Sequence, residues 1–199
     1  MKSICIFGNS TAWGAWDMEK GGWVNRLWFY TGKKTNGECN IYNLSIFGGT
    51  IEKILKRFES EAKTRKADVL IFQSGGNDSF LKGKNGPNKV PIDQFKKNLE
   101  EIIQKAKNIT PDIIFIGFNN VDETKTMPVS WENIYYVNAE IQKYSAVMKG
   151  VCKENNIPYL NVFGILNNND LDDGLHPNTA GHKEIFNKVK SFLEKNKWI

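Results

Sequence analysis

Two histidines occur in the 199-residue chain, so few positions can serve as a general base near neutral pH. His176 stands in Asp172-Asp173-Gly174-Leu175-His176-Pro177-Asn178. A carboxylate three residues before an imidazole, across a glycine, can fold back to accept the Nδ1 proton. That fixes the tautomer and leaves Nε2 free to take a proton. His182 lies six residues on, inside a helical pattern and without such an arrangement, and reads as structural. Ser10 is the matching nucleophile. It follows an apolar run in Gly8-Asn9-Ser10-Thr11-Ala12, where a tight turn would present Oγ and its own N–H. A helix starting there would favour a developing oxyanion. Each residue also has a plainer reading in isolation: Ser10 as a helix cap, His176 as a loop histidine ahead of a helix-starting proline.

Two further turns shift the balance towards chemistry. In Ile46-Phe47-Gly48-Gly49-Thr50 a glycine lets a backbone N–H approach a substrate closely. In Gly75-Gly76-Asn77-Asp78 an asparagine amide can donate to the same oxygen. Together with Ser10 these supply hydrogen-bond donors after three different strands, which is what acyl transfer requires.

Positioning these groups takes a particular architecture. Short apolar runs at 3–8, 40–45, 68–74, 112–118 and 158–162 read as buried strands. Between them lie stretches with helical spacing. Ile51, Ile54, Leu55 and Phe58 share one face, as do Phe95, Leu99, Ile102 and Ile103. Ile134, Val137, Ile141, Val147 and Val151 form a third stripe, and Phe186, Val189 and Phe192 mark a last helix starting near Pro177. The alternation implies an α/β protein with a parallel sheet covered on both faces. Ligands in such sheets bind beyond the carboxyl ends of the strands, where Ser10, Gly48, Asn77 and His176 all fall. No repeat or composition break divides the chain, so 1–199 reads as one domain.

Bulk properties bound the function classes. Apolar residues make up 40% and charged residues 25%, with a net charge of +5 spread over helical segments. That distribution reads as a solvated surface rather than a nucleic-acid interface. Cys5, Cys39 and Cys152 have no metal-ligand spacing and read as reduced thiols. The opening run is too short for a secretory signal, and no stretch approaches a membrane span. A cytoplasmic protein is the expectation. Trp13, Trp16 and Trp131 follow strand ends, and Trp13 and Trp131 are candidates for lining a substrate pocket. Trp23 and Trp28 read as packing in the helix after Gly22. Val121, Met127, Pro128 and Trp131 suffice for a short apolar cleft, which favours acyl groups from acetyl to roughly hexanoyl.

Taken together, the motifs resemble those of the SGNH/GDSL hydrolases, in the same order along nearly the whole chain. Gly8-Asn9-Ser10 is similar to the family's Gly-Asp-Ser block. Asn43 to Thr50 is similar to its second block, which makes Gly48 the oxyanion glycine. Gly75-Gly76-Asn77-Asp78 matches Gly-x-Asn-Asp, and Asp173-Gly174-Leu175-His176 matches Asp-x-x-His. The resemblance implies a flavodoxin-like three-layer α/β/α sandwich with strand order 2-1-3-4-5. It also implies hydrolysis of a small-molecule ester, without metal or cofactor, by a Ser10-His176-Asp173 triad with an oxyanion hole from Ser10, Gly48 and Asn77. Spacing and resemblance both select Asp173 over Asp172. Asn9 departs from the family's aspartate, losing a charge while keeping an acceptor oxygen. A deacetylase of sugar or glycan acetyl esters would use the same residues. A flavodoxin-like phosphate or nucleotide binder, with Gly8 to Thr11 as the cradle, would have no need of the Asp-x-x-His turn.

Overall fold

The computed structural model describes residues 1–199. Five parallel strands form one sheet: β1 (Lys2–Gly8), β2 (Cys39–Asn43), β3 (Val69–Gln73), β4 (Asp112–Ile116) and β5 (Tyr159–Leu160), in the order β2-β1-β3-β4-β5. Nine helices accompany them: α1 (Ser10–Trp13), α2 (Gly22–Lys34), α3 (Ile51–Leu55), α4 (Phe58–Thr64), α5 (Gly76–Ser79), α6 (Ile92–Lys107), α7 (Glu123–Thr126), α8 (Asn138–Glu154) and α9 (Thr179–Lys195).

Strand periodicity divides the interior in two. Successive side chains point to opposite faces, so Cys5, Phe7, Leu70, Phe72, Ile113 and Phe115 enter one apolar cluster with α3, α4, α6 and α8. Ile4, Ile6, Val69, Ile71, Ile114 and Ile116 enter the other with α2 and α9. The result is the α/β/α sandwich expected. The inner strands β1, β3 and β4 are buried on both faces, so they read as nearly unbroken apolar runs. No helix is long and apolar enough to cross a membrane. The three cysteines are free and buried.

Three sequence expectations are corrected. Ile134 and Val137 were expected on the helical face of Ile141, but α8 begins at Asn138. The segment before it is held instead by an antiparallel bridge between Leu81 and Tyr135, so Ile134 packs from a loop. Pro177 was expected at the start of the last helix. Its carbonyl accepts from Trp16 N–H and it bridges Leu171, which keeps it extended. Asn178 caps α9 instead, accepting from Ala180 N and Gly181 N. Trp23 is buried in α2, whereas Trp28 lies on its exposed side.

Candidate active site

β1 ends at Gly8, and the chain turns at once into α1. Gly8 is required there: a Cβ would stand 2.4 Å from Ala12 Cβ and 2.8 Å from Gln73 O. Asn9 caps the short helix through Oδ1, which accepts from Thr11 N at 3.0 Å. This accounts for the asparagine, whose acceptor oxygen suffices for the cap. It also occupies the Thr11 N–H that a phosphate cradle would need. Ser10 is thereby placed as the first residue of α1, with its own N–H unpartnered within the chain.

The loop 171–177 brings its carboxylate and imidazole to this turn. Asp173 Oδ1 accepts from Leu175 N at 2.9 Å and His176 N at 2.8 Å, and Oδ2 lies 2.7 Å from His176 Nδ1. His176 Nε2 lies 2.9 Å from Ser10 Oγ. Nδ1 therefore carries the proton and Nε2 faces the hydroxyl. Ser10 and His176 are both buried. Burial pushes the Asp173 carboxyl up, but the hydrogen bonds from His176 and Leu175 outweigh it and hold the group well below the usual carboxylate range. Asp172 takes no part in this contact; its N–H donates to His176 O.

Asn77 and Gly48 occupy the neighbouring turns. Asn77 Nδ2 donates to Gly49 O at 2.9 Å, and its Oδ1 accepts from Tyr136 Oη–H at 2.8 Å. One amide hydrogen ties the second loop to the third, and the other is free. Gly48 has φ 68°, in the left-handed region open to glycine, and its N–H has no partner in the chain. Ser10 N–H, Gly48 N–H and Asn77 Nδ2–H are thus available as donors.

A small cavity of ≈ 30 Å³ adjoins Ser10, Asn77 and His176. Trp13 and Trp131 do not line it. Both are half-exposed outside: Trp131 stacks at 6.3 Å on the His176 ring, and Trp13 meets Phe47 edge-on. Trp16 does more than its sequence position suggests, because its Nε1–H donates to Asp173 Oδ2 at 3.1 Å. Tyr136 and Phe47 carried no signal in the sequence, since their partners lie far away along the chain.

His182 is structural. Its Nδ1 accepts from Trp23 N and its Nε2–H donates to Ala15 O at 2.8 Å. Burial lowers its pKa, favouring the neutral form. No group of three or more His, Cys, Asp or Glu side chains is placed to hold a metal ion.

Known proteins resemble this chain in sequence and in fold. The model of the GDSL-like Lipase/Acylhydrolase family matches residues 6–184. Among curated relatives, the human isoamyl acetate-hydrolyzing esterase 1 homolog (Homo sapiens) is 21% identical over 209 residues, spanning 96% of this chain and 81% of that protein. Among solved structures, a lipase/acylhydrolase from Enterococcus faecalis superposes with a TM-score of 0.79 at 20% identity, covering 98% of this chain and 97% of that one. An acetyl xylan esterase, AlAXEase, superposes with a TM-score of 0.76 at 20% identity, covering 96% and 99%.

Proposed function

The chain belongs to the GDSL-like lipase/acylhydrolase family, and from that premise we propose that it hydrolyses carboxylic esters by a serine mechanism. The observation that carries the reading is the 2.9 Å approach of Ser10 Oγ to an imidazole whose other nitrogen is held by Asp173 at 2.7 Å. Ser10 Oγ attacks the ester carbonyl carbon while its proton passes to His176 Nε2. The negative charge on the former carbonyl oxygen is met by Ser10 N–H, Gly48 N–H and Asn77 Nδ2–H. The imidazolium is stabilised by the Asp173 carboxylate. Collapse of the intermediate breaks the bond to the alcohol oxygen, which takes the proton from Nε2 and leaves. Water then attacks the acyl-serine and gives a proton to His176. A second collapse releases the carboxylic acid and returns the proton to Ser10.

The relatives' names support an acyl group of small size: one names isoamyl acetate and another acetyl xylan. The deacetylation of sugars is the second reading, supported by the likeness to an acetyl xylan esterase. The test is hydrolysis of an aryl acetate by wild type and by Ser10→Ala, together with mass spectrometry after exposure to a serine-directed phosphonate. Turnover and a single adduct on Ser10 are expected in the wild type alone. Ordinary turnover by a folded Ser10→Ala protein would overturn the reading.

A further inference from the structure

We propose that Trp16 is a positioning residue for the triad: its indole N–H anchors the Asp173 carboxylate from across the site and moderates the charge that the carboxylate presents to His176. The inference rests on the hydrolytic reading of Ser10 and His176 given above.

A carboxylate has room for about four hydrogen bonds, two on each oxygen. In Asp173 all four places are taken. Oδ1 accepts from Leu175 N and His176 N. Oδ2 accepts from His176 Nδ1 at 2.7 Å and from Trp16 Nε1 at 3.1 Å. The first three donors lie two and three residues along the same loop and travel with it. The indole comes from another part of the chain, 157 residues away. It is the one bond of the four that fixes the carboxylate against the Ser10 turn rather than against its own loop.

The indole is itself held from several directions. Trp16 N–H donates to Pro177 O at 3.2 Å. On one side of it Ala15 O accepts from His182 Nε2–H at 2.8 Å, and on the other Asp17 is bonded to Arg26 and Thr179. Phe47 stands 6.0 Å from the Trp16 ring and 5.6 Å from the His176 ring, and Trp16 meets the imidazole edge-on at 5.8 Å. Trp16 belongs to neither core cluster and is 40% exposed, so packing of the interior does not account for its place.

Sharing Oδ2 between two donors has a definite sign. A donor on a carboxylate disperses its negative charge and so weakens its hold on the imidazolium proton. Other titratable groups face the pair as well. Asp172 adjoins Asp173, Lys125 of α7 packs against Gly174, and Asp122 donates its N–H to Gly174 O. Tyr136 lies near Asp173, and His182 of α9 lies behind His176 with Asp17 and Arg26 beside it. Trp16→Phe leaves all of these in place, keeps an aromatic ring and removes only the N–H donor.

The experiment compares wild type with Trp16→Phe in two ways: the pH profile of kcat/KM on an aryl acetate, and NMR titration of the His176 ring, assigned by its loss in His176→Ala. Both midpoints should rise by about 0.5 to 1 pH unit in the variant. On the plateau kcat should fall roughly three- to tenfold with KM little changed, because the carboxylate has lost its fixed anchor. In an Asp173→Ala background the same substitution should leave the titration of His176 where it was. Trp16→Leu serves if Trp16→Phe does not fold. Coincident titrations in wild type and variant, or a shift that persists without the Asp173 carboxylate, would overturn the proposal. Turnover by folded Ser10→Ala would instead remove the hydrolytic reading beneath it, and the NMR titration would still decide whether the indole acts on the pair.

Discussion

Tyr136 holds Asn77 by its carbonyl end: the phenol O–H donates to Oδ1 at 2.8 Å inside the protein. The bond fixes which way the amide faces. With Oδ1 occupied and one hydrogen of Nδ2 on Gly49 O, the remaining hydrogen has a defined direction. Asn77→Ala should lower kcat by roughly 10²- to 10³-fold with little change in KM, as expected for a donor that acts on the transition state. Tyr136→Phe should lower kcat by a smaller factor, roughly tenfold, because the amide is loosened rather than lost. A double-mutant cycle on steady-state rates checks the link: the effect of Tyr136→Phe should vanish in the Asn77→Ala background.

Ser10, His176 and Asp173 form one hydrogen-bonded chain, so their losses should not add. Ser10→Ala and His176→Ala should each reduce kcat by about 10³-fold or more, and the double variant by scarcely more than either. Stopped assays at saturating ester, with circular dichroism to verify folding, provide the comparison. Multiplicative losses would mean that the two residues act separately.

Asp17 links stability to pH. Its side chain is buried and lies 2.9 Å from Arg26 Nη2. Burial pushes its carboxyl up, but hydrogen bonds from Thr179, Lys20 N and Gly22 N, with the Arg26 charge, bring it below its ordinary value. A depressed native pKa means that the carboxylate stabilises the fold above the unfolded value, near 4, and loses this as pH falls through the native value. Asp17→Asn should therefore cost roughly 3 kcal/mol at pH 7. The gap to wild type should close as pH falls below about 4, the unfolded-state value. Urea unfolding at several pH values measures it.

Asp78 behaves in the reverse sense. Burial pushes its carboxyl up to about 7 against the opposing hydrogen bond from Ile51 N. The folded state then holds this proton more tightly than the unfolded chain, so stability falls as pH rises from about 4 to 7. Asp78→Asn keeps an acceptor for Ile51 and carries no charge. Its stability relative to wild type should improve by up to about 4 kcal/mol between pH 4 and pH 8. A relative stability independent of pH would show that the carboxylate titrates normally.

The sheet and the turns of the candidate site were legible in the sequence for a common reason. Strands buried on both faces leave unbroken apolar runs, and ligand sites in such sheets lie beyond their ends, so Ser10, Asn77 and His176 could be located by following each run to its stop. Trp16, Phe47 and Tyr136 were not legible in those roles. The Trp16 to Asp173 contact spans 157 residues and the Tyr136 to Asn77 contact 59, and no local pattern encodes either. The helical stripe extended to Ile134 misled because a loop pinned at Tyr135 can bury a side chain at helical spacing without being helical. The cap of α1 is a local interaction that the sequence placed one residue late: Ser10 reads as a cap, whereas Asn9 accepts from Thr11 N.

The strand order sets a timetable for the chain as it is made. Ser10 and His176 lie 166 residues apart, so at about 5–20 residues per second the serine is synthesised roughly ten to thirty seconds before its base. During that interval β1 can pair with β2 and then β3, yet the serine remains an ordinary alcohol. The Ser10 to His176 contact forms only when the 171–177 loop reaches the carboxyl end of β1. On the hydrolytic reading, a chain that has not yet reached residue 176 is then expected to leave esters untouched.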